Sequence, residues 1–174
     1  MSNTIILWNI VRAFFLLAFQ VLVLSQINLG GKSFSYISIF IYPLFLMFLP
    51  LITPVWLMML IGFVYGYILD VFLNTIGMHT ATCVFMAFIR SGLIRFFEPQ
   101  GGYKERSSPT RRSMGFVWFL RYASVFMFLH IFFFFSVEEF TPFYWRKIVF
   151  YSIPSYAISM VLVMIYSFLL DPTE

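Results

Sequence analysis

The sequence predicts an all-α integral membrane protein, a polytopic bundle of about six transmembrane helices. Three observations predict it. Of 174 residues, 61% are hydrophobic and only 10% are charged, whereas a soluble domain carries about a quarter charged residues. Mean hydropathy is +0.92. The apolar residues also fall in runs long enough to cross a bilayer, which takes roughly 20 residues per helix. The whole chain, 1–174, reads as a single integral membrane domain.

The first span is expected over 5–28, closed by Gly30-Gly31-Lys32-Ser33. Met1-Ser2-Asn3-Thr4 lacks the basic stretch of a signal peptide, and the apolar run that follows outlasts such a peptide's core, so this span is expected to be uncleaved. The second span is expected over 36–52, with a kink at Pro43, because proline removes a backbone hydrogen bond. The third, over 54–73, starts on Pro54, a residue suited to a first helical turn. The link between the second and third is short and carries no charge. The two form a tight hairpin, or one of them stops short of crossing. Six crossings are expected, with five as the alternative.

A fourth span is expected over 77–97. The polar stretch 98–115 has Gly101-Gly102 and Ser107-Ser108-Pro109 and no apolar periodicity, so it reads as a loop. The fifth and sixth spans are expected over 116–137 and 148–170, the latter with Pro154 inside, and a four-residue tail follows. No internal repeat is visible.

Basic residues set the orientation. With the N-terminus cytoplasmic, the inner side receives Arg12, Arg90, Arg95, Lys104, Arg106, Arg111, Arg112 and Arg121. The outer side receives Lys32, Arg146 and Lys147. Both termini and the basic 98–115 loop are then cytoplasmic. The net charge of +4 follows from this bias and does not point to nucleic acid. Cys83 is the only cysteine, which excludes an internal disulfide and a CxxC metal or redox site. The 25 phenylalanines read as lipid-facing filler or as compositional bias of the source genome, and not as a ligand site.

Polar residues inside spans carry the candidate site. Gly62, Gly66 and Asp70 recur every four residues and so share one helix stripe. Glycines there let a second helix approach closely, and an ionisable group in a span faces protein or water and has a use. The helix is expected to break at Asn74-Thr75-Ile76-Gly77, with His79 opening the next span. Asp70 and His79 should then meet at the outer ends of the third and fourth spans. The carboxylate would accept from the imidazole, or from backbone amides at the start of the fourth helix.

His79, Cys83, Ala87, Ser91 and Arg95 also recur every four residues, a small and mildly polar face that reads as a packing seam. Arg12, Leu16 and Gln20 share a face of the first helix, with Asn9 adjacent. There Arg12 can snorkel, pair or meet a partner. His130 stands alone mid-span and should bond to a neighbouring helix. No chain of titratable partners for it is visible in sequence. Glu138 and Glu139 are expected in a solvated outer loop.

HExxH, GxSxG and a glycine-rich phosphate loop are all absent from the sequence. Asp70 is the one carboxylate deep in a span, so a two-carboxylate mechanism lacks its partner. No catalytic, cofactor-binding or metal-binding residue is assigned.

The run Gly66-Tyr67-Ile68-Leu69-Asp70-Val71-Phe72, followed by Gly77-Met78-His79-Thr80-Ala81, resembles MreD, the rod shape-determining membrane protein family of bacteria. That family has a glycine-spaced span ending in Asp, a short turn, and a Gly-x-His opening the next span. The likeness is specific over roughly 62–88 and rests on hydropathy elsewhere. Gly62, Gly66, Asp70, Gly77 and His79 match the family motif, and the resemblance implies a helix-packing or partner-binding role for them. The phenylalanine richness and the long basic 98–115 loop depart from common members.

The resemblance further implies a fold like the substrate-binding S component of ECF vitamin transporters and a place in the inner membrane. The implied function is a non-enzymatic scaffold of the cell-elongation machinery. Its implied partners are an MreC-like single-span protein, the elongasome glycosyltransferase and transpeptidase, and MreB, reached indirectly or through the basic loop. The alternative is a true S component that captures a vitamin-like ligand.

Overall fold

The computed structural model describes residues 3–27, 37–99, 101–103, 107–140 and 144–170. Among these the regular elements are all helical: α1 (Asn3–Leu22), α2 (Pro43–Phe48), α3 (Val55–Leu73), α4 (Met78–Phe96), α5 (Arg111–Met114), α6 (Phe116–Glu139) and α7 (Trp145–Leu170). A 3-10 turn, Leu24–Gln26, extends α1. Four helical segments are long and apolar enough to cross a membrane: Leu7–Gln26, Val55–Leu73, Phe116–Glu139 and Trp145–Leu170. The Gly30–Ser33 stop, the 171–174 tail, and Lys104 and Arg106 of the basic loop lie outside the described residues.

The helix boundaries expected over 54–73 and 77–97 agree with α3 and α4 to within a residue or so. The helix expected over 36–52 does not form. Residues 37–41 are non-helical, and only Pro43–Phe48 coils. Pro43 therefore opens a short helix at its first position and does not kink a long one. A proline ring lacks the N–H and blocks the carbonyl four residues back, so a helix arriving from 36 would lose its last turn there. Pro50 closes the other end. Leu49 before it is extended (φ −55°, ψ 143°), the conformation a following proline favours.

Buried backbone outside a helix needs other partners, and two helices supply them. Gln20 of α1 donates from Nε2 to the Ile39 carbonyl at 2.8 Å and accepts the Ile41 amide on Oε1 at 3.0 Å. On the opposite side, Ser155 and Ser159 of α7 accept the amides of Ser38 (3.2 Å) and Phe40 (2.8 Å). The alternation of sides is that of a strand, with side chains standing in for neighbouring strands. Such backbone is tolerated at membrane depth only where protein covers it, and residues 39–49 are buried throughout.

The α3–α4 pair makes the most extensive helix contact, and α6 packs on both α4 and α7. The polar stretch after α4 is not simply solvated. Ser107, Pro109 and Thr110 are buried, and the Leu51 amide donates to the Ser107 carbonyl at 3.1 Å. Thr110 caps α5 by accepting the Ser113 amide at 3.2 Å. Tyr103 donates to the Ile94 carbonyl at 2.7 Å, and its burial raises the hydroxyl pKa above the ordinary value. Glu138 and Glu139, expected in a loop, are instead the last residues of α6, and Glu139 pairs with Lys147 at the start of α7. Helix continues because no breaker precedes Phe140, which ends it in a left-handed conformation (φ 48°).

Candidate functional site: a glycine seam and a buried histidine–tyrosine chain

The seam between α3 and α4 is built from absent side chains. A Cβ on Gly66 would lie 2.6 Å from the Thr80 Cα, and one on Gly62 would lie 2.9 Å from the Cys83 carbonyl oxygen. Backbone meets backbone at both points. Cys83 and Ala87 fill the facing stripe of α4, and His79 heads it. Ser91 and Arg95, expected on the same stripe, leave it and are more exposed. The seam drifts around the helix because 3.6 residues per turn is not four, and Arg90 takes the buried position instead.

Between α3 and α4, the chain turns through two left-handed residues, Asn74 (φ 55°) and Gly77 (φ 74°). Asn tolerates that region better than most residues, and glycine adopts it without penalty. The turn delivers the first amides of α4 to Asp70. Its Oδ1 accepts the His79 amide at 3.0 Å and the Thr75 hydroxyl at 2.5 Å. Its Oδ2 accepts the Thr80 amide at 2.9 Å and the Thr80 hydroxyl at 2.5 Å. Both carboxylate oxygens are thus doubly occupied at a helix N-terminus, where negative charge is favoured. Of the two partners expected for Asp70, the backbone amides hold it and the imidazole does not.

The His79 ring points inward. Its Nδ1 lies 2.9 Å from the Tyr42 hydroxyl, and His130 Nε2 lies 2.8 Å from the same oxygen. Tyr42 and His130 are fully buried. Phe134 packs against the His79 ring at 4.9 Å between centroids, and Phe40 meets His130 edge-on at 6.0 Å. His130 is therefore not alone. It belongs to a chain of three titratable side chains from α4, the non-helical segment and α6. Sequence reading missed Tyr42, because a helix over 36–52 gives no reason to aim it at either histidine.

Toward the C-terminal end of α4, the Arg90 guanidinium donates to the carbonyls of Leu49 and Met47 and touches Met58 Sδ at 3.2 Å. It satisfies the carbonyls where α2 ends, a favourable place for a cation. Arg12 is half-buried, bonded to Asn9 at 3.3 Å and stacked over Phe48 at 5.4 Å. Among the described residues no three His, Cys, Asp or Glu side chains cluster as a metal site.

Comparison with family models, with curated proteins and with solved structures finds no match.

Proposed function

We propose that this chain is a non-enzymatic, multi-pass scaffold of the MreD type in the bacterial inner membrane. In this reading it helps an MreC-like single-span protein couple cytoskeletal MreB to the peptidoglycan synthases. The observation that carries the reading is the use made of the motif residues. Gly62 and Gly66 admit the α4 backbone, Gly77 turns the chain, and Asp70 ties the turn to the His79 and Thr80 amides. A carboxylate with four donors on it is a fastening, and the joint it fastens is a rigid face that a partner helix can read.

Six crossings fit this reading. Residues 37–41 at about 3.3 Å each, with Tyr42 and the six residues of α2 at about 1.5 Å each, reach roughly 27 Å, against a hydrocarbon core of about 30 Å. A half-extended second crossing puts both termini on one side, and the basic-residue bias makes that side cytoplasmic.

The test is affinity purification of the full chain from rod-shaped cells, with depletion in parallel. Recovery of the MreC-like protein, and rounding of depleted cells, is the expected result. Recovery of a tightly held small vitamin-like molecule with an energising membrane partner, and unchanged shape, overturns the scaffold reading in favour of an S component.

A further inference from the structure

The chain has two histidines, and both bond to one hydroxyl, that of Tyr42. Histidine is the side chain whose ordinary titration falls between pH 5 and 8. We infer that His79, Tyr42 and His130 form a pH-sensitive latch, which with neutral rings pins the non-helical segment 37–42 to α4 and α6 and which acid releases. The inference does not depend on the scaffold reading.

Hydrogen-bond accounting fixes how the latch is closed. A hydroxyl has one proton, so Tyr42 donates to one ring nitrogen and accepts from the other. Of two neutral rings, one must then present N–H to it and the other a lone pair. The second nitrogen of His130, Nδ1, is buried without a partner. A bare buried lone pair is better tolerated than a bare buried N–H. His130 therefore holds its proton on Nε2 and donates to Tyr42, and Tyr42 donates to His79 Nδ1. Every bond in the chain is made by uncharged groups.

A further proton on His130 goes to Nδ1, where it meets no acceptor and leaves a charge among Phe40, Tyr42 and their neighbours. The other ionisable groups around the chain are Tyr65 and Asp70 of α3 and Cys83 of α4, with Tyr166 of α7 beyond Tyr65. Asp70 is the carboxylate of that set, and both its oxygens are already taken by α4 amides and threonine hydroxyls. A charged ring finds no counter-ion to bond in the closed state.

The latch requires that opening admit water to the rings, where each imidazole titrates at about pH 6.5. Below that, each ring that ionises only on opening raises the opening constant by about tenfold per pH unit. The remaining anchors of the segment, Gln20, Ser155 and Ser159, carry no titratable group, so the acid response resides in the histidines.

Amide hydrogen exchange of the full chain in lipid nanodiscs at pH 7.5 and 5.5, corrected for intrinsic rates, tests the latch. Protection over 37–48 is expected to fall at least tenfold at the lower pH, while the 62–87 seam keeps its protection. His130→Gln still donates to Tyr42 but cannot ionise, so its loss should be smaller, and the His79→Gln/His130→Gln double variant should show none. Equal protection at both pH values, or a loss spread evenly over all helices, overturns the proposal with the wild-type chain alone. So does a loss that survives in the double variant.

Discussion

Three glycines of the α3–α4 hairpin separate close approach from simple permissiveness. Gly66→Ala drives a methyl against Thr80 backbone that has no rotamer to yield, and is expected to lower stability by about 1–3 kcal/mol, the range for overpacking. Gly62→Ala meets the Cys83 carbonyl at a slightly longer distance and should cost less. Gly92 has nothing within 4 Å of its would-be Cβ, so Gly92→Ala should be neutral or stabilising by about 0.5–1 kcal/mol. Thermal unfolding in detergent ranks the three, and a Gly92 variant as damaging as the Gly66 variant removes the seam explanation. Asp70 obeys similar arithmetic. Asp70→Asn keeps one oxygen but turns an amide toward a backbone N–H, at about 1–3 kcal/mol for the group left unpaired. Asp70→Leu strands both amides and should be clearly worse. If the two are equal while the protein folds, the negative charge itself is what matters.

At the scale of elements, the segment 37–42 tests whether side chains can replace a sheet. Ser159→Ala leaves the buried Phe40 amide without its acceptor, a loss of about 1–3 kcal/mol. Ser155→Ala should cost less, because Ser38 is only half-buried and its bond is longer. Gln20→Leu removes a donor and an acceptor together and should be the most damaging of the three. The same unfolding assay checks the order. This is also where the sequence was least legible. A four-residue period exposed the Gly62, Gly66 and Asp70 stripe and the His79–Cys83–Ala87 seam, because both are local and helical. Hydropathy alone cannot tell a buried strand-like segment from a buried helix. The residues that make 37–42 possible lie on α1 and α7, far off in sequence. With the conformation misread, Tyr42 had no visible link to His79 or His130.

At the scale of the whole molecule, composition gave the class and the run lengths gave five of the long helices, since both depend on sums over many residues and not on any one contact. Orientation rests on the same kind of sum. Reporter fusions after Gly102 and at the C-terminus should both behave as cytoplasmic. An external signal at Gly102 would falsify the topology, because that loop carries most of the basic bias.

With Gly66 pressed on the Thr80 backbone, no acyl chain fits between α3 and α4 at that level. α4 is the least apolar of the long helices and is not among the four segments suited to cross by composition. Threaded alone into lipid it would carry Arg90, at a cost of about 2.5–3.5 kcal/mol for an arginine at mid-span. On the six-crossing topology it has no need to enter alone. α3 is the most apolar of the long helices, and the donors that α4 supplies to Asp70 all lie within its first three residues. The two would then insert as one hairpin, with the less apolar leg drawn in by the more apolar one. On that topology, the seam that packs the finished protein would also serve during synthesis, by carrying its most polar long helix into the bilayer.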